Sequence, residues 1–147
     1  MRANFFQKLM IYIKTTWVMV DAFGKAIWRN YRGIITREWV DDYARVWAKR
    51  TLSAVKATYT IHNPHNVTLD PQERYVIMAN HTTHYDIPLC FVALPGSIRI
   101  LAKKELAKIP LLGGAMKAAK SPIVDRKNRE QAKRDLEKVQ QLMSEGI

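Results

Sequence analysis

The sequence predicts an α/β fold: a mixed sheet with flanking helices behind an N-terminal amphipathic helical segment. Three observations predict it. Apolar residues recur about every 3.6 residues over a long segment near the N-terminus, short apolar runs lie between turns, and the last element is an amphipathic helix. The 147 residues suffice for one ordinary domain, and 48% apolar with 25% charged residues exclude global disorder. A single cysteine, Cys90, excludes an internal disulfide framework.

Residues 4–32 show apolar and aromatic side chains at helical spacing, with the charged side chains confined to an opposite arc of about 140°. The pattern predicts one long helix, or two helices broken near Gly24. Charged residues interrupt every apolar run, which excludes a spanning helix. We expect an interfacial membrane helix; the alternative is a helix that packs its apolar face on the core. That face consists of Phe6, Leu9, Ile13, Trp17, Val20, Phe23, Ile27 and Tyr31.

The remaining elements are predicted from changes of period and from turn residues. Asp70-Pro71-Gln72 is a break, and the last helix has Asn128 as its N-cap and Gly146 beyond its C-terminus. The predicted helices cover residues 37–54, 88–94, 111–119 and 128–145. The predicted strands cover residues 55–62, 75–79, 98–102 and 122–124, and the run at 75–79 is apolar enough to be covered on both faces.

Basic residues exceed acidic ones, giving a net charge of +11. The surplus lies in two regions, residues 1–60 with 11 basic and 4 acidic side chains and residues 99–134 with 11 basic and 3 acidic. Such a surplus indicates an anionic partner: nucleic acid, an anionic membrane or a phosphorylated substrate. A nucleic-acid-binding module is the less favoured of these, because the N-terminal aromatic residues lie opposite the basic ones and form no stacking platform.

The segment Asn80-His-Thr-Thr-His-Tyr-Asp86 follows the predicted strand 75–79 and opens a helix, a position where α/β sheets place ligands. If the loop folds back, Asp86 accepts the Nδ1 proton of His81 and leaves Nε2 to take a proton from a substrate hydroxyl. No serine or cysteine nucleophile is paired with this histidine, since Cys90 lies about one helical turn beyond Asp86. The layout favours direct attack by an activated hydroxyl.

Two other interpretations of this segment stay open. His81, His84 and Asp86 are plausible metal ligands, with His62 and His65 upstream, although no second ligand cluster completes a site and we expect no metal. A histidine that only caps a loop is the purely structural alternative. The His-x4-Asp pair by itself is a weak signal.

Three segments in order resemble the conserved blocks of the glycerolipid acyltransferases, the group that includes 1-acyl-sn-glycerol-3-phosphate acyltransferase. Asn80-His81-x4-Asp86 resembles the first block, Ile100-Leu-Ala-Lys-Lys-Glu-Leu106 with Ile109-Pro110 and Gly113 the second, and Ile123-Val-Asp125-Arg126 the third. The resemblance implies a glycerol-phosphate-acyltransferase-like domain. It further implies transfer of an acyl chain from acyl-CoA or acyl-carrier protein, as co-substrate, to a (lyso)glycerophosphate hydroxyl in phospholipid biosynthesis.

The sequence also departs from that family. Its Phe-Pro-Glu-Gly-Thr-Arg motif is absent, and the loop has Thr82-Thr-His84 where many members carry a serine. The chain ends at Ile147, about where the strand leading to that motif is expected, so we expect a C-terminally incomplete domain. Residues 1–54 form the predicted amphipathic membrane-association segment, and residues 55–147 the N-terminal portion of the acyltransferase domain.

Under this interpretation His81 is the general base and Asp86 orients it. Lys103, Lys104 and Arg126 are the cations available for the phosphate of the acceptor or of coenzyme A. The expected partners are an anionic membrane surface, the acyl carrier and the acceptor lipid, with no other cofactor. The expected location is the cytoplasmic face of the cytoplasmic membrane. The rival functions are a catalytically inactive remnant that binds membrane surfaces and, less favoured, the nucleic-acid-binding module.

Overall fold

The computed structural model describes residues 4–70 and 73–144, and this part of the chain is mostly helical. The predicted break at Pro71-Gln72 and the predicted C-terminal glycine Gly146 lie outside the described residues. In chain order the elements are α1 (Phe5–Tyr31), α2 (Arg37–Ala54), α3 (Asp86–Ala93), β1 (Ala102–Lys103), a 3-10 helix (Lys104–Lys108), α4 (Leu112–Ala118), β2 (Ile123–Val124) and α5 (Arg129–Ser144).

Helix α1 begins at a capping box, in which the Asn4 side chain accepts from the Gln7 backbone and the Gln7 side chain accepts from the Asn4 backbone. It continues without interruption through Gly24, so the alternative of two helices broken there is wrong. The helix ends where Gly33 adopts a φ of +67°, a conformation that glycine takes without steric cost. The result is one helix of 27 residues.

Helix α1 packs on α2 with its charged and small side chains. Val18 and Ala22 are buried, and Asp21 between them accepts hydrogen bonds from Tyr43 at 3.0 Å and Arg50 at 2.6 Å on α2. Arg29 lies over the ring of Trp39 at 4.8 Å. The charged arc of α1 therefore forms part of the contact between the two helices.

An aromatic trio joins the first three helices. The ring centroids of Phe23 and Trp47 are 6.2 Å apart, and Trp47 meets Phe91 edge-on at 6.1 Å. Further along α1, a Cβ added at Gly114 of α4 would approach the Ile27 side chain to 2.8 Å, so the two helices are in close contact there. The apolar face of α1 is thus packed at Phe23 and Ile27, in its C-terminal half.

The predicted sheet is reduced, in the described residues, to one parallel pair of two-residue strands. Ala102 pairs with Ile123 and Lys103 with Val124. The predicted strands at 55–62 and 75–79 have no regular secondary structure and are exposed, with Val76 77% and Met78 92% accessible. Alternation and apolarity make a segment compatible with a strand, but a strand also needs a neighbour to accept its hydrogen bonds. Within residues 4–70 and 73–144, no neighbouring strand pairs with either segment.

The other helices follow the predicted positions closely. Asn128 accepts from the Gln131 backbone at 3.1 Å and so caps α5 as predicted. Helix α5 contacts β2, and none of its residues is fully buried. Helix α3 begins at Asp86, two residues earlier than predicted, which makes this aspartate the first residue of the helix.

The segment after α3 is fixed to α2 by a polar cluster. Asp41 accepts from the Ser97 hydroxyl at 2.8 Å and from Arg99 Nη1 at 2.6 Å, and Arg45 donates to the Gly96 carbonyl. The Arg99 side chain is only 10% exposed, so this ion pair is largely shielded from water. Together with the Trp47–Phe91 contact, the cluster holds α3 against α2.

Candidate active site

The loop from 80 to 86 folds back, which is the condition under which His81 and Asp86 can meet. His81 Nδ1 and Asp86 Oδ2 are 2.9 Å apart, at the N-terminus of α3. A carboxylate can only accept a hydrogen bond, so Nδ1 carries the proton and donates it. Nε2 is then the basic nitrogen, and it has no hydrogen-bond partner in the part of the chain that the structure describes. The His81 side chain is 55% exposed and so is open to a substrate.

Asp86 is fixed by three donors besides His81. The backbone amides of Thr82 and Thr83 donate to Oδ2 at 2.7 and 2.8 Å, and the Thr83 hydroxyl donates to Oδ1 at 2.9 Å. The Thr83 and Thr82 amides, the Thr83 hydroxyl and His81 hold the pKa of the Asp86 carboxyl well below its usual range. The carboxylate therefore stays ionised at neutral pH, with one orientation toward the imidazole.

This arrangement can orient one histidine tautomer and stabilise the imidazolium that forms when Nε2 takes a proton. Every hydrogen bond in it joins residues at most five positions apart. The loop consequently forms without the strand predicted at 75–79. The predicted place of the motif, at the edge of a sheet, is not what the described residues show.

Neither a thiol nucleophile nor a metal cluster accompanies the pair in the described residues. Burial and, second, the negative charge of Asp86 raise the pKa of the Cys90 thiol, which keeps it uncharged and weakly nucleophilic. His84 is exposed, and in residues 4–70 and 73–144 no three His, Cys, Asp or Glu side chains are grouped to hold a metal ion.

The three predicted phosphate-binding cations differ in their surroundings. They lie at the carboxyl ends of the parallel strands: Lys103 is the last residue of β1, Lys104 follows it, and Arg126 lies two residues after β2. Lys104 Nζ is 3.0 Å from the Asp125 carboxylate, and this pairing, first through the hydrogen bond, raises the lysine pKa and lowers that of the aspartate. The side chains of Lys103 and Arg126 are exposed, and neither forms a hydrogen bond or an ion pair with any of the described residues. These two are the cations free to bind an anion.

A family model described as "Acyltransferase" matches residues 58–147. The chain belongs to the acyltransferase family. Comparisons with curated proteins and with solved structures found no match. The match contains the His81–Asp86 pair and the cations at the strand ends, and it supports a transferase function for the chain. The predicted division of the chain after residue 54 stays a prediction.

The structure of this acyltransferase does not join the two groups of predicted site residues directly. Among the described elements α3 contacts α2 alone. The strands β1 and β2 contact each other and the 3-10 helix, and β2 also contacts α5. No hydrogen bond or ion pair within residues 4–70 and 73–144 connects His81 or Asp86 with Lys103, Lys104 or Arg126. The histidine–aspartate pair and the cation cluster are two neighbourhoods, each held by its own contacts.

Thr82 and Thr83 hold the Asp86 carboxylate, a role that was not predicted from the sequence. Thr83 lies three residues before Asp86 and its amide donates to the aspartate carboxylate, although the N-cap of α3 is Tyr85 and not Thr83. The Thr83 hydroxyl also accepts from the Tyr85 backbone at 3.2 Å. The signal was available, because a threonine three residues before an acidic residue is a sequence pattern that indicates hydrogen bonds between the two near a helix start.

The N-terminal half of α1 presents apolar side chains to solvent in this acyltransferase. Trp17 is 67% exposed, and Phe6, Leu9, Ile13 and Val20 are exposed as well. They turn away from Val18 and Ala22, which pack on α2. No helix in residues 4–70 and 73–144 combines the length and apolar character that crossing a membrane requires.

Proposed function

We propose that this acyltransferase moves a fatty acyl chain from acyl-CoA or acyl-carrier protein to a hydroxyl of a (lyso)glycerophosphate. The observation that carries the proposal is the contact of 2.9 Å between His81 Nδ1 and Asp86 Oδ2, which leaves Nε2 as a free base. Family membership supplies the reaction class, acyl transfer. The acceptor class rests on the basic character of the strand ends and on the resemblance to glycerolipid acyltransferases.

In the proposed reaction, His81 Nε2 takes the proton of the acceptor hydroxyl as its oxygen attacks the thioester carbonyl. A tetrahedral intermediate forms and collapses with cleavage of the carbon–sulfur bond. The imidazolium then returns its proton to the leaving thiolate, so the products are an ester and a free thiol. Asp86 stays ionised throughout and stabilises the positive imidazole. Proton transfer of this kind is worth about 10²–10⁴-fold in rate.

Lys103 and Arg126 are the proposed ligands of the acceptor's phosphate. Both are exposed and lack an acidic partner among the described residues, unlike Lys104, whose charge is shared with Asp125. An arginine offers two parallel donors to phosphate oxygens, and a lysine adds a point charge. Lys104 is therefore the weakest candidate of the three, and its contact with Asp125 joins the ends of the two strands.

We further propose that the enzyme works on a membrane surface, at the cytoplasmic face of the cytoplasmic membrane. The exposed aromatic and aliphatic side chains of the N-terminal half of α1 support this location, because an apolar helix face of that length is costly in water. The net charge of +11 favours anionic lipids. The acceptor lipid would then reach His81 from the bilayer.

The test is thiol release from acyl-CoA with lysophosphatidic acid as acceptor, measured on vesicles with the wild type and with His81→Ala. We expect the variant to lose acyl transfer by at least about 10²-fold while its vesicle binding is unchanged. His84→Ala is the matched control, since it removes an exposed histidine of the same loop. Wild-type-like turnover by His81→Ala would contradict the proposal. A wild type that binds vesicles but releases no thiol would favour the inactive, membrane-binding alternative.

A further inference from the structure

A groove of about 540 Å³ runs between the N-terminal half of α1 and the C-terminal half of α2. Helix α1 lines it with Ile13, Lys14 and Trp17, and helix α2 lines it with Lys49, Arg50 and Ser53, so the lining combines apolar and basic side chains. The groove lies apart from both groups of site residues described above, and none of the described acidic residues lines it.

The two lysines of the groove are not neutralised by the protein. Lys14 and Lys49 are exposed, and neither has an ion-pair partner among residues 4–70 and 73–144. Arg50 also lines the groove, but its guanidinium is 2.6 Å from Asp21 and so is already paired. A second groove on the far side of Lys49 and Ser53 adds Lys56 and again no acid. The positive charges of Lys14 and Lys49 are therefore available to bind an anion.

We propose that this groove binds the headgroup of one anionic phospholipid of the bilayer. Lys14 and Lys49 contact the phosphate, Ser53 donates to one of its oxygens, and Ile13 and Trp17 contact the start of the acyl chain. A free phosphate or a nucleic acid would satisfy the lysines but would leave the exposed apolar side chains in water. A phospholipid satisfies both the basic and the apolar side chains of the groove, and the exposed apolar face of α1 continues from it at Leu9 and Val20.

The consequence is a fixed depth and rotation of α1 on the membrane. Lys14 and Trp17 lie three residues apart and are therefore neighbours on the helix surface. When Trp17 enters the acyl boundary, the long side chain of Lys14 reaches up to the level of the phosphates. The polar contacts of Asp21 with Tyr43 and Arg50 transmit that orientation to α2, and α2 holds α3, whose first residue is Asp86. This inference rests on the membrane association proposed above.

The experiment measures quenching of Trp17 by brominated lipid in phosphatidylcholine vesicles that contain a minor fraction of phosphatidylglycerol, at physiological salt. The bromine is placed either on the anionic or on the neutral lipid, and Trp17→Phe identifies the signal of this residue. We expect stronger quenching per labelled molecule from the anionic lipid. The enrichment should fall roughly 5-fold for each lysine removed, the fold-change equivalent to about 1 kcal/mol.

The variant Lys14→Gln with Lys49→Gln tests the groove, and Lys133→Gln with Lys138→Gln on the exposed side of α5 is the control of equal charge. Ser53→Tyr fills the groove and keeps both lysines, so it tests the site independently, and we expect it to remove the enrichment as well. Equal enrichment in the groove and control variants would overturn the proposal. Displacement of the lipid by glycerol phosphate or by a short oligonucleotide would overturn it too, in favour of those ligands. A wild type that does not bind vesicles would instead refute membrane association itself, whatever its thiol release.

Discussion

Thr83 donates its hydroxyl to Asp86 Oδ1 at 2.9 Å, on the carboxylate oxygen that His81 does not use. Each oxygen of the carboxylate thus has its own partner, and the carboxylate plane cannot rotate without breaking one of them. Thr83 therefore sets the direction in which Asp86 presents Oδ2 to the imidazole, although it forms no hydrogen bond with His81 in the described residues. Thr83 is in this sense a positioning residue.

Thr83→Val keeps the shape of the side chain and removes the hydroxyl. We expect kcat for acyl transfer to fall about 10-fold, the loss expected for one hydrogen bond to a charged group, with little change in KM. Thr83→Ser restores the donor and should restore kcat. Steady-state kinetics on vesicles checks this, and a serine variant as impaired as the valine variant would contradict the positioning role.

Asp86→Asn removes the charge that the imidazole needs. Its amide cannot accept with the same strength, and it favours the wrong tautomer of His81, so we expect kcat to fall by on the order of 10³–10⁴-fold. Asp42→Asn on α2 is the control of equal charge, because Asp42 is exposed and has no partner among the described residues. Single-turnover thiol release measures the rate. An equal fall in rate in Asp86→Asn and Asp42→Asn would contradict a specific role of Asp86, because it would follow from the loss of any one negative charge.

Acid should weaken the contact between α1 and α2 through Asp21. The hydrogen bonds from Lys25 and Arg50 lower the pKa of this carboxyl from 3.8 to about 2. Its stabilising contribution is therefore complete above pH 3.8 and is lost as the pH falls toward 2. Asp21→Asn should reduce the free energy of unfolding by about 1 kcal/mol at neutral pH, since the carboxylate is partly solvated.

The difference in unfolding free energy between wild type and Asp21→Asn should shrink between pH 4 and pH 2, as followed by urea denaturation. Asp42→Asn provides the baseline for the loss of one exposed carboxylate. A difference that persists unchanged at pH 2 would show that Asp21 acts through packing and not through its charge.

Trp17 and Phe23 should respond in opposite ways to substitution by aspartate. Trp17 is exposed, so Trp17→Asp should lower vesicle partitioning roughly 10-fold or more with little effect on the thermal midpoint. Phe23 packs on Trp47 between α1 and α2, so Phe23→Asp should cost about 2–4 kcal/mol of stability. Circular dichroism melts and vesicle sedimentation measure the two effects. Loss of stability without loss of partitioning in Trp17→Asp would place Trp17 in the core.

The pairing of His81 with Asp86 was open to inference from the sequence because it is local. His81, Thr83 and Asp86 lie within six consecutive positions, and the loop that joins them is closed by hydrogen bonds between near neighbours. The helical segments were predictable for the same reason, since caps such as Asn4 and Asn128 and the 3.6-residue period are properties of adjacent residues. The strands at 55–62 and 75–79 were not, because strand pairing depends on a partner distant in the chain.

The sequence alone determined the long amphipathic helix, the His81–Asp86 pair and the basic character of the chain. Only the tertiary structure decided which face of α1 is packed: Asp21 and its small neighbours face α2, and Trp17 faces solvent. It also decided that Lys104 is paired with Asp125, whereas the side chains of Lys103 and Arg126 have no partner among the described residues. The physical reason is the same in both cases. Periodicity and charge indicate which kinds of contact a side chain can form. Which residue it contacts depends on the elements that folding brings next to it.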